Sequence, residues 1–308
     1  MYDLLVITGP TATGKTALGV EAALAFRGEV VSADSMQVYK GMDIGTAKAT
    51  MEERRGVPHH MLDVADPHQN YSAAKYAAEA SLCVDAIRRR GKLPVVVGGT
   101  GLYIDGLLRG TDYAAAPEDP ALRADLEAEY DRLGGDALRE KLRAVDPARA
   151  EILHPGDKKR LVRALEVYIL TGETITAHDE RSRSAPPRYR ALTVALDFRE
   201  RETLYERIDR RAAAMFDRGL VEEVRALLDG GVPRDGTAMQ AIGYKETAEY
   251  LDGVRSLGET VELVQRRSRQ YAKRQLTWLR RDDHVRWIRW EKEPDMEIIR
   301  PISTDFTL

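Results

Sequence analysis

Cysteine is nearly absent: Cys83 stands alone among 308 residues, which excludes an internal disulfide and any zinc site built on several cysteines. In a segment carrying Ala74, Ala77, Ala78 and Ala80 it reads as a small core residue. Apolar runs are short, and none approaches the roughly 18 residues of a membrane span. Met1-Tyr2-Asp3 leads into an apolar run without the basic stretch of a signal peptide, so the expected location is the cytoplasm. There is no internal repeat and no low-complexity tract. A large excess of either charge is also missing: the net charge of −3 argues against a uniformly basic nucleic-acid binder. What remains, 43% hydrophobic and 31% charged residues, suits a water-soluble chain with enough apolar content for two domains or one large one.

The charge is unevenly spread. Between Val264 and Trp290 stand Arg266, Arg267, Arg269, Lys273, Arg274, Arg280, Arg281, Arg286 and Arg289, nine cations against Asp282 and Asp283. At about 100° per residue, Arg266, Lys273 and Arg280 form one helical stripe, opposite Val264, Tyr271 and Trp278. A solvated face usually mixes signs; this one hardly does, which points to contact with nucleic acid.

Gly9-Pro10-Thr11-Ala12-Thr13-Gly14-Lys15-Thr16 is a complete phosphate loop directly after the apolar run Leu4 to Ile7. Its N–H groups would cradle phosphate oxygens, Lys15 would add a point charge, and Thr16 would offer a hydroxyl to Mg²⁺. The helix expected from Lys15 to Phe26 directs its positive end to the same place. The motif leaves open whether the phosphate belongs to a nucleotide or to another diphosphate ester.

Strand and helix signals alternate through the first hundred residues: strands at Leu4 to Ile7, Glu29 to Ser32 and Leu93 to Val97, with a helix from Ser72 to Arg90. Such continuous apolar strands form a parallel sheet buried on both faces, whose ligands sit beyond the strands' carboxyl ends. Gly9 to Thr16, Asp34 to Gln37 and Gly98 to Thr100 therefore converge. From Asp112 the chain turns to polar helical sequence (Ala121 to Leu133, Asp136 to Leu142, Lys158 to Thr171) until the strand Ala191 to Leu196. The expectation is an α/β fold with a P-loop NTPase-like parallel sheet core, residues 1–112 and 190–308, an inserted all-helical domain over 113–189, and a helical C-terminal part. Ala114-Ala115-Ala116-Pro117 and Ser184-Ala185-Pro186-Pro187 bound the insertion.

Asp34 can serve as a Mg²⁺ ligand, as a general base, or as the cap of a local turn. A nucleotide hydrolase also needs an acid closing another strand, and Val95-Val96-Val97 ends in Gly-Gly-Thr instead. That shifts Asp34 toward acid–base work. His59-His60 has no third ligand in view and reads as a loop pair. Trp278, Trp287 and Trp290 read as closing the core under the charged helix. Arg207 and Arg211, taken alone, read as a solvated helix face.

Longer motifs accompany these residues. Asp34-Ser-Met-Gln-Val-Tyr-Lys-Gly-Met-Asp-Ile-Gly-Thr-Ala-Lys48, Val97-Gly-Gly-Thr-Gly-Leu-Tyr103, Arg163-Ala-Leu-Glu-Val-Tyr168, Ala241-Ile-Gly-Tyr-Lys-Glu246 and Ala272-Lys-Arg-Gln-Leu-Thr-Trp278 run in order along nearly the whole chain, which thereby resembles the bacterial tRNA dimethylallyltransferases. The resemblance implies transfer of a dimethylallyl group from its diphosphate to N6 of adenosine 37 in tRNAs that read codons beginning with U. It implies diphosphate on the phosphate loop, Mg²⁺ on Thr16, Asp34 as base and Arg211 near the diphosphate. It further implies tRNA contacts at Asp34, Ser35, Met36, Gln37 and Thr100, at Arg123, Lys159, Arg160, Leu161, Val162 and Arg163, and at Gly243, Tyr244 and Lys245. Lys273 and Arg274 would join them from the basic run. Zinc is not expected, and a monomer is. The rivals are an adenylate isopentenyltransferase acting on free nucleotides, a small-molecule kinase with Asp34 deprotonating a hydroxyl, and a non-catalytic ATP-binding RNA-handling protein.

Overall fold

A computed structural model describes residues 2–110, 119–299 and 302. In chain order it runs β1 (Leu4–Thr8), α1 (Lys15–Ala25), β2 (Glu29–Ser32), α2 (Met51–Arg54), β3 (His59–His60), α3 (Ala73–Arg89), β4 (Pro94–Val97) and α4 (Gly101–Arg109). Next come α5 (Pro120–Leu133), α6 (Gly135–Arg143), α7 (Pro147–Ile152), α8 (Lys158–Thr171) and α9 (Ile175–Ser184). The chain ends with β5 (Ala191–Phe198), α10 (Arg201–Asp217), α11 (Leu220–Asp229), α12 (Tyr244–Leu251), α13 (Leu257–Leu279) and β6 (Arg286–Trp290).

All strand pairings are parallel, in the order β3-β2-β4-β1-β5-β6. Side chains alternate along each strand, so Leu4, Val6, Val31 and Val96 enter one core, with Tyr76 and Val84 of α3 and Tyr244 of α12. Leu5, Ile7, Val30, Val95 and Val194 enter the other, with Leu18 of α1, Ile208 of α10 and Leu276 of α13. Full burial on both faces explains the unbroken apolar strands, each large side chain contributing about 1.5–3 kcal/mol.

Two expectations are corrected. The chain does not finish with helices alone, because β6 adds a sixth strand beside β5. Its Arg-Trp-Ile-Arg-Trp alternation was hidden by the basic run that contains it. His59-His60 is no loop pair but the short edge strand β3, and His60 Nε2 lies 2.7 Å from Glu29 Oε2. Burial works to raise the Glu29 carboxyl, but hydrogen bonds from His60, Lys92 and Arg90 outweigh it and bring it to about 2. Cys83 packs half-buried against the first core.

The chain divides into two compact units, Met1–Leu108 with Tyr189–Leu308, and Arg109–Arg188. The expected start of the insertion, at Tyr113 and Ala114 to Pro117, lies outside the described residues. The smaller unit packs Leu126, Leu138, Leu142, Leu153, Leu161 and Leu165 into its own core. Asp119 caps α5 ahead of Pro120, and Asp146 caps α7 while its other oxygen accepts from Thr176 N at 3.1 Å.

Candidate active site

Three loops leave the carboxyl ends of β1, β2 and β4 and meet in one cavity of about 660 Å³ within the larger unit. Gly9 has φ +137°, and a Cβ there would overlap the carbonyl oxygen of Leu196 on the neighbouring strand, so only glycine lets the phosphate loop leave β1 here. Inside the loop, Thr13 Oγ1 donates to Pro10 O at 2.8 Å and Lys15 Nζ donates to the same oxygen at 2.7 Å. Gly14 precedes α1, whose first turn holds no acid, leaving its positive end unneutralised; Thr16 is exposed there.

Three side chains far along the chain hold this loop. Thr11 N donates to Gln275 Oε1 at 3.1 Å, Arg207 Nε to Ala12 O at 3.2 Å, and Trp290 Nε1 to Thr13 O at 3.0 Å. Gln275 Nε2 also donates to Gly99 O at 2.9 Å, so one amide ties the β1 loop to the β4 loop. A Cβ on Gly99 would collide with that amide nitrogen. The role of Gln275 is not legible in the sequence, where it is one amide among cations, and Trp290 closes the core as expected but also holds the loop. Arg207 is not on a solvated face: it lies over the Phe198 ring, 5.3 Å from its centroid, and pairs with Glu293.

Arg211 is not a solvated side chain either. Its Nε is buried without a hydrogen-bond partner, and the residue lines the cavity. Burial and the nearby Arg211 pull the Lys15 ammonium down to about 7, with Asp34 opposing. Two cations are thus held close together with no acid at ion-pair distance among the described residues, an arrangement that stores affinity for an anion.

Asp34 proves to be a turn cap as well as a candidate base. Its Oδ1 accepts from Met36 N at 2.9 Å and from Gln37 N at 3.4 Å, while Oδ2 makes no hydrogen bond among the described residues. The turn therefore fixes the carboxylate and leaves one oxygen for chemistry. Ser35 N donates to Thr100 Oγ1 at 3.0 Å, joining the β2 and β4 loops. The Tyr271 phenol is pushed up to about 12 by burial and by the Asp34 charge, so it stays protonated in this cavity.

The long motif after Asp34 proves largely architectural. Lys48 is buried and donates to Tyr39 O at 3.0 Å and to Asp43 and Asp63 at 2.6 Å each. Glu223 of α11 accepts from Asp43 N, Ile44 N and Gly45 N. The Gln37 amide donates to Thr46 O and Ala47 O and accepts from Ser32 Oγ, which leaves little of it to read a base edge.

Among the residues assigned to RNA, three side chains are corrected. Leu161 and Val162 are 0% and 2% exposed and belong to the core of the smaller unit. Tyr244 is also 0% exposed, its hydroxyl donating to Glu223 at 2.5 Å. Lys159, Arg160, Lys245 and Lys273 are exposed, and Met36 is half-buried. Arg123 and Arg163 converge on Glu166, whose burial would raise its carboxyl but whose two arginine hydrogen bonds hold it low. Arg274 lies over Tyr271 and lines the cavity. The basic run is partly neutralised by other helices: Arg267 pairs with Glu246 and Arg269 with Asp209. Arg266, Lys273 and Arg280 form the expected exposed stripe. Leu161→Ala should accordingly cost about 2–5 kcal/mol of stability in a chemical denaturation. Arg160→Ala should leave stability alone and weaken RNA binding in a filter assay.

Among the described residues no three His, Cys, Asp or Glu side chains group as a metal site, and no helix is long and apolar enough to cross a membrane.

Comparison with known proteins adds three findings. A family described as IPP transferase matches residues 37–282. The tRNA dimethylallyltransferase of Carboxydothermus hydrogenoformans is 45% identical over 302 residues, 98% of this chain and 96% of that one; its namesake in Geobacter sulfurreducens is 49% identical over 93% and 92%. Among solved structures, the tRNA isopentenylpyrophosphate transferase of Bacillus halodurans superposes with a TM-score of 0.73 at 42% identity, covering 98% of this chain and 95% of that one. A eukaryotic dimethylallyltransferase acting on tRNA gives 0.76 at 32%, covering 90% and 69%.

Proposed function

Because this chain belongs to the IPP transferase family, we propose that it moves a dimethylallyl group from dimethylallyl diphosphate to N6 of adenosine 37, beside the anticodon of tRNAs that read codons beginning with U. The observation that carries this reading is the pairing, in one cavity, of a fixed carboxylate with an open oxygen (Asp34) and two cations, Lys15 and Arg211, that have no acid at ion-pair distance among the described residues.

An exocyclic adenine amine is a weak nucleophile, so its proton must leave as the new bond forms. Its nitrogen lone pair forms the C–N bond, the allylic C–O bond breaks, and that electron pair departs with the diphosphate. The proton passes to Asp34 Oδ2. Charge gathering on the diphosphate meets the loop N–H groups, Lys15 and Arg211, which bind it more strongly in the transition state than before. The orphaned Nε of Arg211 gains its missing partner there.

The donors fit Mg²⁺: it draws most of its octahedral shell from water and phosphate oxygens and needs only one or two protein oxygens. Thr16, exposed at the start of α1, would hold it, and the ion would neutralise diphosphate charge.

A stacked base cannot enter this cavity, so the adenine is flipped out. Asp34 to Gln37 and Thr100 would line its pocket. Arg123, Lys159, Arg160, Arg163, Gly243, Lys245, Lys273 and Arg274 would meet neighbouring RNA. The enzyme is read as a cytoplasmic monomer. The kinase alternative gains no support, since the other acids of the cavity are engaged: Glu21 pairs with Arg55, and Glu53 accepts from Thr50 N.

Nucleoside mass spectrometry of unmodified tRNA carrying A36-A37-A38, after incubation with protein, Mg²⁺ and dimethylallyl diphosphate, should show one dimethylallyl mass gained on A37. No gain, with phosphate transferred from ATP to a small acceptor, would replace this reading by the kinase.

A further inference from the structure

Outside the active site, a second open cavity of about 620 Å³ lies at the carboxyl ends of β5 and β6. Parallel register sets Arg289 beside Asp197, α10 begins at Arg201, and α13 ends against Arg280. Four arginines (Arg199, Arg201, Arg280, Arg289) thereby surround Trp287 and Asp197. Among the described residues, Arg199 is the one of the four with a carboxylate at ion-pair distance, Glu291 at 2.8 Å. Arg201 Nη1 is buried without a hydrogen-bond partner, and Arg289 lies over the Trp287 ring, 5.8 Å from its centroid. Asp197 is nearly buried, and one of its oxygens accepts from Phe198 N at 2.9 Å. Arg201, Arg280 and Arg289 therefore share one carboxylate, that of Asp197, an excess of positive charge. Of the four, only Arg201 is partly buried, and its orphaned Nη1 is a donor left for an anionic ligand. None of these residues lines the active-site cavity.

We propose that this cavity binds a backbone phosphate of the RNA substrate. The planar forks of the arginines suit a phosphate, and Trp287 offers a ring face to the adjoining nucleoside. Arg280 is also the last member of the exposed stripe Arg266, Lys273 and Arg280, so a positive track along α13 runs into the cavity. That continuity favours a polyanion over a single small anion. The inference rests on the RNA-modifying function proposed above.

Arg280 and Arg289 are exposed, so Arg280→Ala, Arg289→Ala and the double variant should fold normally, as circular dichroism would verify. Each single variant should raise the KM for tRNA about fivefold and reduce the slope of log affinity against log salt by about one, and the double variant should do more of both, without changing the KM for dimethylallyl diphosphate. Arg289→Lys should restore the slope while recovering only part of the affinity, because charge returns without the fork. Unchanged KM and slope in enzyme that still modifies tRNA would overturn the assignment. So would calorimetric binding of inorganic phosphate or ATP that vanishes in the double variant while tRNA kinetics stay as before, which would make the occupant a small anion. A wild-type protein that neither binds nor modifies tRNA would instead bring down the proposed function, and this inference with it.

Discussion

Asp34→Asn is expected to lower the single-turnover rate of prenyl transfer by about 10²–10⁴-fold while tRNA still binds. Asparagine keeps the carbonyl oxygen that accepts from Met36 N and Gln37 N, so the turn survives. It replaces the open oxygen by an amide that cannot take a proton. Asp34→Ala removes base and turn together, and the turn's two hydrogen bonds are worth about 0.5–1.5 kcal/mol each. The two variants should therefore be similarly slow but differ in thermal stability, with Ala the less stable. A near-normal rate in the Asn variant would leave Asp34 as a turn cap and nothing more.

The second large effect concerns Lys15. In the free protein its ammonium loses its proton near pH 7, because burial and Arg211 both disfavour the charge. A bound diphosphate favours the charge and raises that value. Between the free and bound values, binding must therefore take up a proton. Affinity should weaken as pH rises above about 7, by up to tenfold per pH unit. Titration calorimetry at pH 8.5 in two buffers of different ionisation enthalpy would report the uptake. Lys15→Met should abolish it and, by removing one donor to the leaving group, lower the rate constant by about 10²–10³-fold. Uptake that persists in Lys15→Met would assign the proton elsewhere.

Arg211 and Gln275 show why the site was only partly visible in the chain. The phosphate loop is a contiguous pattern whose chemistry follows from its own glycines, lysine and threonine, and Asp34 stands directly after a strand. Both could be read without a fold. Arg211 sits on an amphipathic helix where a charged residue ordinarily meets water, and only the packing of α10 shows that its Nε is buried. Gln275 is one glutamine in a basic helix. Its role appears when α13 lies across the loops after β1 and β4, a hydrogen bond across 264 positions of sequence.

Residues also change meaning in the opposite direction. Leu161 and Val162 stand beside Lys159 and Arg160, and the family resemblance implied RNA contact for all four. The helical period turns them inward instead, into the core of the smaller unit.

Local pattern alone determined the parallel sheet, the phosphate loop, the acid after the second strand and the run of helices between Pro120 and Ser184, because period, turn chemistry and motif spacing are properties of neighbouring residues. Tertiary structure decided which cations stay unneutralised, which side chains hold the loop, and that Arg286–Trp290 joins the sheet as its sixth strand. Those outcomes depend on partners from distant segments: Glu246 and Asp209 neutralise two arginines of the basic run, and β5 supplies the hydrogen bonds for β6. No window of neighbouring residues contains both members of such a pair.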